Sequence, residues 1–507
     1  MSGHTHHTPG VVMFVMNDLL NDPRVQREAR SAVLAGFRVT VVAMQSDRCR
    51  VPRQTVDGYE IVRVRLLRFG IMYAVVRVWR LVVLAGLVLR EGFNLAVGLQ
   101  PGPEAPGQAA GPASRLRRFK WALMRVIGVL LLPLRVFRPV PGGLYQKLQA
   151  EGTARGLSTK QMQFISEVGF LRDTLWLTFA MLWAVRSEGA AVFHGNDLPT
   201  LPLTTWAARL HGGKALYDSH ELWVGMSPGW TPFFNTVARW VERRYIRQMD
   251  AVVTVNDLIA EELRRQYRIP LPNVVRNCPK PVVPCAVDPS YSIRAKLALS
   301  PETPIILYQG RYELGRGLEE LIESARYLSR GVIVLRGYGS NEADLRQRVD
   351  GLGVQGRVFM VEPVPMADLV TAASEADVGV VPYTAYSPCN YYASPNKLFE
   401  YIMAGLAIAV SNLPVLEKIV RDHDLGVVFD PADPKHIAEQ LNALVGNPAR
   451  LRACRENATC VAHNRYNWDH EGGKLISLYR TLAAGNAHGG ARCPRALSEQ
   501  SGPRHGR

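Results

Sequence analysis

The chain has 507 residues and a formal net charge of +16, with 47% hydrophobic and 21% charged residues. This length and composition exclude a disordered or fibrous protein and predict two domains that each bury a core. The seven cysteines are scattered and form no Cys-x-x-Cys pair, which argues against a disulfide or zinc framework and predicts a reducing, cytoplasmic location.

Apolar runs in the first half of the chain alternate with helical segments, as in a Rossmann-like α/β domain. Residues 1–10 have no apolar signal core and are predicted to be a disordered leader. Strands are predicted at 11–15, 39–43, 59–64, 191–194, 214–217 and 251–255, with one helix at 24–35 and another through 205–210. This first domain, 11–275, is interrupted by an insertion at about 65–190.

The insertion carries most of the excess positive charge. Residues 63–172 contain 17 basic and four acidic residues, a net charge of +13. Arginines interrupt its two apolar runs, 71–89 and 121–136, so neither reaches the roughly 18 apolar residues of a membrane-spanning helix. Basic residues beside aliphatic side chains predict peripheral contact with an anionic membrane, and no nucleic-acid partner. The alternative is that these helices pack inside the first domain.

A second α/β series follows a connector near 269–289. Its strands are predicted at 305–309, 332–336, 358–361, 378–381, 408–410 and 427–429. The second domain is therefore 290–465, and a helix within 466–482 is predicted to cross back to the first domain. Residues 484–507 are rich in Gly, Arg and Pro and are predicted to be disordered. The expected fold is α/β, with two Rossmann-like domains facing a cleft and ligands at the carboxyl ends of the strands.

The segment 394–405, SPNKLFEYIMAG, combines a turn, a helix start and a carboxylate. Ser394 or Asn396 can cap the helix, and Pro395 suits its first turn. The unpaired N–H groups of the helix start favour a phosphate, and Glu400 lies one turn further on, where it can accept two ribose hydroxyls. Gly405 ends the helix. An ordinary helix-to-strand passage explains the same pattern equally well.

Glycines and arginines follow two strands of the second domain. Gly310 lets the backbone approach a ligand closely, and Arg311 and Arg316 can clamp a diphosphate and stabilise a leaving group. Gly337 and Gly339 follow the next strand, although a lone Gly-x-Gly is most often a turn.

Polar side chains also follow two strands of the first domain. His194, Asn196 and Asp197 end one strand, and His220 and Glu221 follow the next. Adjacent strand ends with such side chains predict an acceptor pocket. A structural hydrogen bond is the more usual role of an isolated histidine.

These segments, SPNKLFEYIMAG, GRYELGRGLEELIES, HGNDLPTL and YDSHEL, resemble the motifs of family-four retaining glycosyltransferases, which have GT-B architecture. The resemblance implies that Glu400 holds the donor ribose and that the preceding turn holds the diphosphate. The implied donor-binding residues are Gly310, Gly337, Gly339, Ser394, Asn396, Lys397, Leu398 and Glu400. The implied catalytic residues are Arg311, Arg316, His220 and Asn196, and those on the acceptor side are Asp22, Arg24, His194, Asp197 and Glu221.

Three departures from the family pattern bear on the site. Many members have a second glutamate eight residues before Glu400, where this chain has Tyr392. Many also have a glycine pair in the first loop, where this chain has Asn21-Asp22-Pro23. Several relatives have a histidine at the position of Asn196.

The resemblance implies transfer of a sugar from a UDP- or GDP-linked donor with retention of configuration. No Asp-x-Asp metal cluster stands out in a loop after a predicted strand, which predicts an enzyme that needs no metal or other cofactor. The expected acceptor is a lipid-linked glycan or polysaccharide precursor at the inner face of the cell membrane. Three alternatives stay open: a soluble small-molecule acceptor, an isomerase of the nucleotide-sugar 2-epimerase type, and a non-catalytic membrane-bound scaffold with the same fold.

Overall fold

The structure is a computed structural model that describes residues 8–65, 159–224, 229–282 and 286–487. The chain divides into two compact units, one of residues 1–63 and 181–507 and the other of residues 64–180. Nearly all of the predicted leader, the apolar runs of the insertion and most of the predicted tail lie outside the described residues. Both sheets belong to the first unit, which also holds the cleft between them.

The first sheet has eight strands in the order β3-β4-β2-β1-β5-β6-β7-β8. The strands are β1 Gly10–Phe14, β2 Arg38–Met44, β3 Arg53–Val56, β4 Tyr59–Val64, β5 Val192–Asn196, β6 Lys214–Ser219, β7 Ala251–Thr254 and β8 Asn273–Val274. The hairpin of β3 and β4 is antiparallel. Asp57 and Gly58 at its turn both have positive φ, which matches the twist of a two-residue hairpin. Strand β3 was not predicted, although the Asp-Gly pair is a hairpin signal.

The second sheet is parallel, in the order β11-β10-β9-β12-β13-β14. Its strands are β9 Ile305–Arg311, β10 Val332–Tyr338, β11 Val358–Val361, β12 Val378–Val381, β13 Ala407–Ser411 and β14 Gly426–Phe429. The strand order reverses between β9 and β12, and such a switch point opens a crevice at the carboxyl ends of the strands. The predicted architecture of two Rossmann-like domains is confirmed.

Helices cover both sheets. In chain order they are α1 Pro23–Leu34, α2 Thr159–Ala184, α3 Leu201–His211, α4 Pro232–Tyr245, α5 Asp257–Tyr267, α6 Ile293–Leu297, α7 Leu318–Ser324, α8 Glu342–Leu352, α9 Leu369–Ala373, α10 Pro388–Tyr391, α11 Asn396–Met403, α12 Pro414–Asp422, α13 Pro434–Val445, α14 Pro448–Asn464 and α15 Trp468–Ala487. Within the described ranges, no helix is long and apolar enough to cross a membrane.

The last helix, α15, returns to the first domain as predicted. Trp468, Leu475 and Tyr479 are buried in the same apolar cluster as Val11 and Val39 of the first sheet. The Trp468 Nε1 donates to Ser31 Oγ of α1 at 2.8 Å. The Tyr479 hydroxyl lies 2.6 Å from Nδ1 of His194. Burial of these aromatic rings therefore joins α15 to the first sheet and to α1.

Replacement of Tyr479 tests this packing. Tyr479→Ala removes a buried ring, which costs about 3–5 kcal/mol and should lower the midpoint of thermal unfolding by several degrees. Tyr479→Phe should cost about 1–3 kcal/mol, because it leaves the buried His194 Nδ1 without its partner. Calorimetry measures both, with Tyr327→Ala as the exposed control. An unchanged midpoint for Tyr479→Ala would contradict the described packing.

Candidate active site

A cleft of about 780 Å³ lies between the two sheets at the carboxyl ends of their strands. Its volume is within the range of small-molecule sites. The structure brings eleven of the predicted residues to this cleft: Asp22, Arg24, His220, Glu221, Gly310, Arg311, Arg316, Ser394, Asn396, Lys397 and Glu400. The first four come from the first domain and the others from the second.

The N-terminus of α11 faces the cleft. The prediction that Ser394 or Asn396 caps this helix is wrong, because Pro395 occupies the cap position and no side chain caps the helix. Asn396 is instead the first helical residue. The Ser394 Oγ is buried and has no hydrogen-bond partner among the described residues. An unpaired hydroxyl beside the free N–H groups of a helix start suits an anionic ligand.

Lys397 lies beneath this helix start, and only 7% of it is exposed. Its Nζ lies 3.5 Å from the ring centroid of Tyr308. Burial, and then the charge of Arg316, hold the pKa of Lys397 well below its usual range. A Cβ on Gly310, where φ is +141°, would lie 2.8 Å from this Nζ. Gly310 therefore makes room for the lysine, a function that the sequence analysis did not anticipate.

Arg311 and Arg316 share one carboxylate, that of Glu313. The Arg311 Nε lies 2.7 Å from Glu313 Oε1, and the Arg316 Nη2 lies 3.1 Å from Glu313 Oε2. The Arg316 guanidinium also lies 4.4 Å from the ring centroid of Tyr383. Glu313 and Tyr383 line the cleft but were not predicted as site residues. Arg316 is mostly buried and Arg311 mostly exposed, so Arg316 is the better fixed of the two.

Glu400 is partly buried one turn into α11. Burial raises the pKa of Glu400, while Lys397 and Arg27 oppose this shift. Arg27 belongs to α1 of the first domain. The sequence predicted a role for Arg24 of this helix and none for Arg27, because nothing in the sequence shows which face of α1 meets the second domain.

His220 lies between two carboxylates at the edge of the cleft. Its Nδ1 is 3.4 Å from Asp197 Oδ2, and its Nε2 is 3.5 Å from Asp218 Oδ2. Burial lowers the pKa of His220, but the two carboxylates outweigh it and raise this pKa well above its usual value. Trp223 Nε1 also donates to Asp197 at 3.2 Å. The two carboxylates therefore favour the protonated form of His220, and Asp197 contacts this ring rather than lining the cleft.

Arg24 lies at the floor of the cleft, where its guanidinium is already paired. It donates to Asp218 Oδ2 at 3.0 and 2.6 Å and to the carbonyl of Val275 at 3.0 Å. Its Nε also lies 3.0 Å from Glu28 Oε1. The positive charge of Arg24 is therefore compensated by this network of protein groups, and the guanidinium is not free to bind an acceptor.

His194 and Asn196 do not line the cleft, which corrects their predicted direct contacts with substrate. His194 is fully buried, and burial lowers its pKa to about 4. The Asn196 amide donates to the carbonyl of Phe14 at 3.1 Å. Asn196 thus joins β5 to β1 and His194 joins β5 to α15, because both residues lie within β5 rather than beyond its end.

Leu398, Gly337 and Gly339 also lie off the cleft. Leu398 is fully buried in the core of the second domain. A Cβ on Gly337 would lie 1.8 Å from the carbonyl oxygen of Gly310, and one on Gly339 would lie 2.1 Å from that of Tyr312. These glycines therefore allow the chain after β9 to pass close to β10, rather than admitting a ligand.

Tyr392, which replaces the family's second glutamate, contacts the first domain. Its side chain packs against an apolar cluster that includes Leu198, Leu222 and Ile259. Its carbonyl accepts a hydrogen bond from Asn256 Nδ2 at 2.9 Å. Tyr392 thus connects the two domains, and no carboxylate faces the cleft from this residue.

Glu28, His194 and Asp218 are a possible metal-ligand group, with ligand atoms within 4.8 Å of one another. The guanidinium of Arg24 already lies against both carboxylates. A metal ion there would meet a fixed positive charge, so the chemistry of this group does not fit a metal.

Two family profiles match the chain: glycosyl transferases group 1 over residues 290–460 and the glycosyl transferase 4-like domain over residues 133–279. An alpha-D-kanosaminyltransferase of Streptomyces kanamyceticus is 23% identical over 49% of this chain, and the match spans only 64% of that relative. A GDP-mannose:cellobiosyl-diphosphopolyprenol alpha-mannosyltransferase of Xanthomonas oryzae is 25% identical over 68% of this chain and 85% of its own length.

Among solved structures, Anabaena HepE in complex with UDP and glucose matches with a TM-score of 0.59 and 12% identity. The match covers 93% of this chain and all of HepE. This likeness supports the fold alone. The profile matches in both domains show that the chain belongs to the group 1 glycosyltransferases, and the likeness to solved structures shows its GT-B fold.

Proposed function

We propose that this protein transfers a hexose from a UDP- or GDP-linked donor to a lipid-linked glycan or polysaccharide precursor. The observation that carries the proposal is the second-domain side of the cleft. There, an unpaired Ser394 hydroxyl and the side chains of Lys397, Arg316 and Glu400 lie around the N-terminus of α11.

The donor diphosphate rests at the start of α11 in this proposal. The first N–H groups of the helix and the Ser394 hydroxyl donate to its oxygens, and Arg316 and Lys397 supply positive charge. Glu400, one turn further on, accepts hydrogen bonds from the ribose hydroxyls. Burial beneath Tyr308 and Tyr383 strengthens these electrostatic interactions, because the local dielectric constant is below that of water.

Bond cleavage in this proposal leaves a nucleoside diphosphate whose negative charge grows in the transition state. Arg316, Arg311 and the dipole of α11 stabilise that charge without a metal ion. The acceptor approaches from the first domain, where the side chains of His220 and Glu221 line the opposite wall. Transfer proceeds with retention of configuration, as the family resemblance implies.

A lipid-linked acceptor is supported by two observations. One relative is named for a diphosphopolyprenol acceptor. The segment 63–172 of this chain carries a net charge of +13 beside long apolar runs, a composition suited to the surface of an anionic membrane. The proposed location is therefore the cytoplasmic face of the cell membrane, with peripheral contact.

The reaction and the ribose contact are tested together. The parent protein is incubated with UDP- and GDP-sugars and with lipid-linked or soluble acceptors, and products are identified by mass spectrometry. Glu400→Gln should weaken donor binding by about 10- to 100-fold, because a hydrogen bond to a charged group contributes about 1.5–3 kcal/mol. Glu417→Gln, a change on the surface of α12, is the matched control. A parent-like KM for the donor in Glu400→Gln would refute the ribose assignment.

Stabilisation of the leaving group is tested at Arg316. Arg316→Ala should lower kcat by about 10²–10³-fold, the usual loss when one donor to a developing charge is removed. Arg311→Ala should also lower it, and Arg346→Ala, on the surface of α8, should not. The parent should keep its activity in EDTA. Loss of activity on chelation, restored by magnesium or manganese, would rule out the metal-free proposal.

Membrane contact is tested by sedimentation with liposomes. The protein should pellet with anionic vesicles at low salt, bind neutral vesicles less, and be partly released at high salt. Replacement of Arg115, Arg117 and Arg118 by serine should weaken binding to anionic vesicles, since each basic residue contributes about 1 kcal/mol near the membrane surface. Replacement of the exposed Arg326, Arg346 and Arg421 by serine is the control, because it removes the same number of positive charges. Parent protein that stays in the supernatant at low salt would favour a soluble acceptor.

A further inference from the structure

A chain of three polar side chains links the first domain to the helix start of the second. Arg27 lies on α1, Asn277 lies in the connector between the domains, and Asn396 is the first residue of α11. The Arg27 Nη2 donates to Asn277 Oδ1. The Asn277 Nδ2 donates in turn to Asn396 Oδ1 at 2.7 Å. Residues that are far apart in sequence thus meet at the proposed diphosphate site.

The direction of these hydrogen bonds is set by the chemistry of Arg27. A guanidinium can only donate, so the Asn277 amide must turn its oxygen toward Arg27. Its nitrogen then faces Asn396, and the Asn396 oxygen accepts. The two N–H groups of the Asn396 amide are left for the cleft, which this residue lines. Among the residues described in the structure, none accepts a hydrogen bond from that nitrogen.

Arg27 is held in place by the returning helix. Its guanidinium lies 5.4 Å from the ring centroid of Trp468, at the start of α15. The Trp468 backbone N–H donates to the carbonyl of Pro279 at 2.8 Å, two residues after Asn277. The same helix therefore positions both Arg27 and the connector.

The charges around Arg27 act on it in opposite directions. Arg24 repels the guanidinium, whereas Glu28 on its own helix and Glu400 on α11 attract it. The Arg27 Nε is buried and has no hydrogen-bond partner in the described part of the chain. The hydrogen bond to Asn277 is therefore the directed contact of this guanidinium toward the cleft.

We propose that Arg27 and Asn277 are positioning residues that orient the Asn396 amide with its N–H groups toward the diphosphate of the donor. The reverse orientation would place the amide oxygen against the phosphate, where two acceptors repel each other. The inference rests on the proposed function, because it assumes a nucleoside diphosphate at the start of α11. It predicts that the first domain influences phosphate affinity without touching phosphate.

The test is a double-mutant cycle on the full-length protein, with UDP and GDP as probes in isothermal titration calorimetry. Asn277→Asp can only accept at its side chain, so the Asn396 amide must turn its nitrogen away from the cleft. Affinity for the nucleotide that the parent binds should fall by about 10- to 100-fold. In an Asn396→Ala background, Asn277→Asp should have little further effect, since no amide remains to be turned.

Three additional variants distinguish an effect of amide orientation from effects of folding and of charge. Arg27→Lys keeps a cation that only donates and should retain affinity within about threefold, whereas Arg27→Gln should weaken binding. Asn464→Asp, exposed on α14, adds the same charge elsewhere and should have no effect. Thermal midpoints show whether each variant is folded.

Equal weakening by Asn277→Asp in the presence and absence of the Asn396 amide would overturn the inference, because the effect would then come from charge or misfolding. Parent affinity in both Asn277→Asp and Arg27→Gln would overturn it as well. A parent protein that binds neither UDP nor GDP would overturn the proposed function itself, and the inference with it.

Discussion

The buried ion pair between Arg24 and Asp218 is the interaction on which the first domain's side of the cleft depends. It joins α1 to β6, and through the Val275 carbonyl it also holds the connector. Burial alone would raise the pKa of Asp218, but Arg24 and His220 hold it far below its usual range. Removal of Arg24 would leave buried carboxylates without a counter-charge, which is far more costly than loss of a surface pair.

In the second domain, two basic side chains of the cleft lie against aromatic rings. Lys397 lies under the face of Tyr308, and Arg316 lies over Tyr383. The negative faces of these rings attract a cation, and the carboxylate of Glu313 also pairs with Arg316. Both side chains are therefore ready for an anionic ligand, and Glu313 fixes the spacing of the two arginines.

Contacts between the domains have replaced two features of the family pattern. Tyr392 stands where many family members have the second glutamate. Its side chain packs on the first domain, and its carbonyl accepts a hydrogen bond from Asn256. The first loop lacks a glycine pair, yet α1 reaches the donor side through Arg27 and Asn277. The site is thus completed by polar contacts across the cleft, so its geometry depends on how the domains are held together.

The sequence by itself determined the alternation of strands and helices, the helix start at 395–396 and the cluster of charged residues at the ends of the strands. These follow from local periodicity, from Pro395 and Gly405, and from the rule that ligands bind at the carboxyl ends of parallel strands. Only the tertiary structure decided which polar residues face the cleft. His194 and Asn196 lie within β5 and do not line the cleft, whereas Tyr383, just after β12, lines it, and Arg27 on α1 contacts the cleft residue Asn277. Such contacts join residues far apart in the chain, and no local pattern records them.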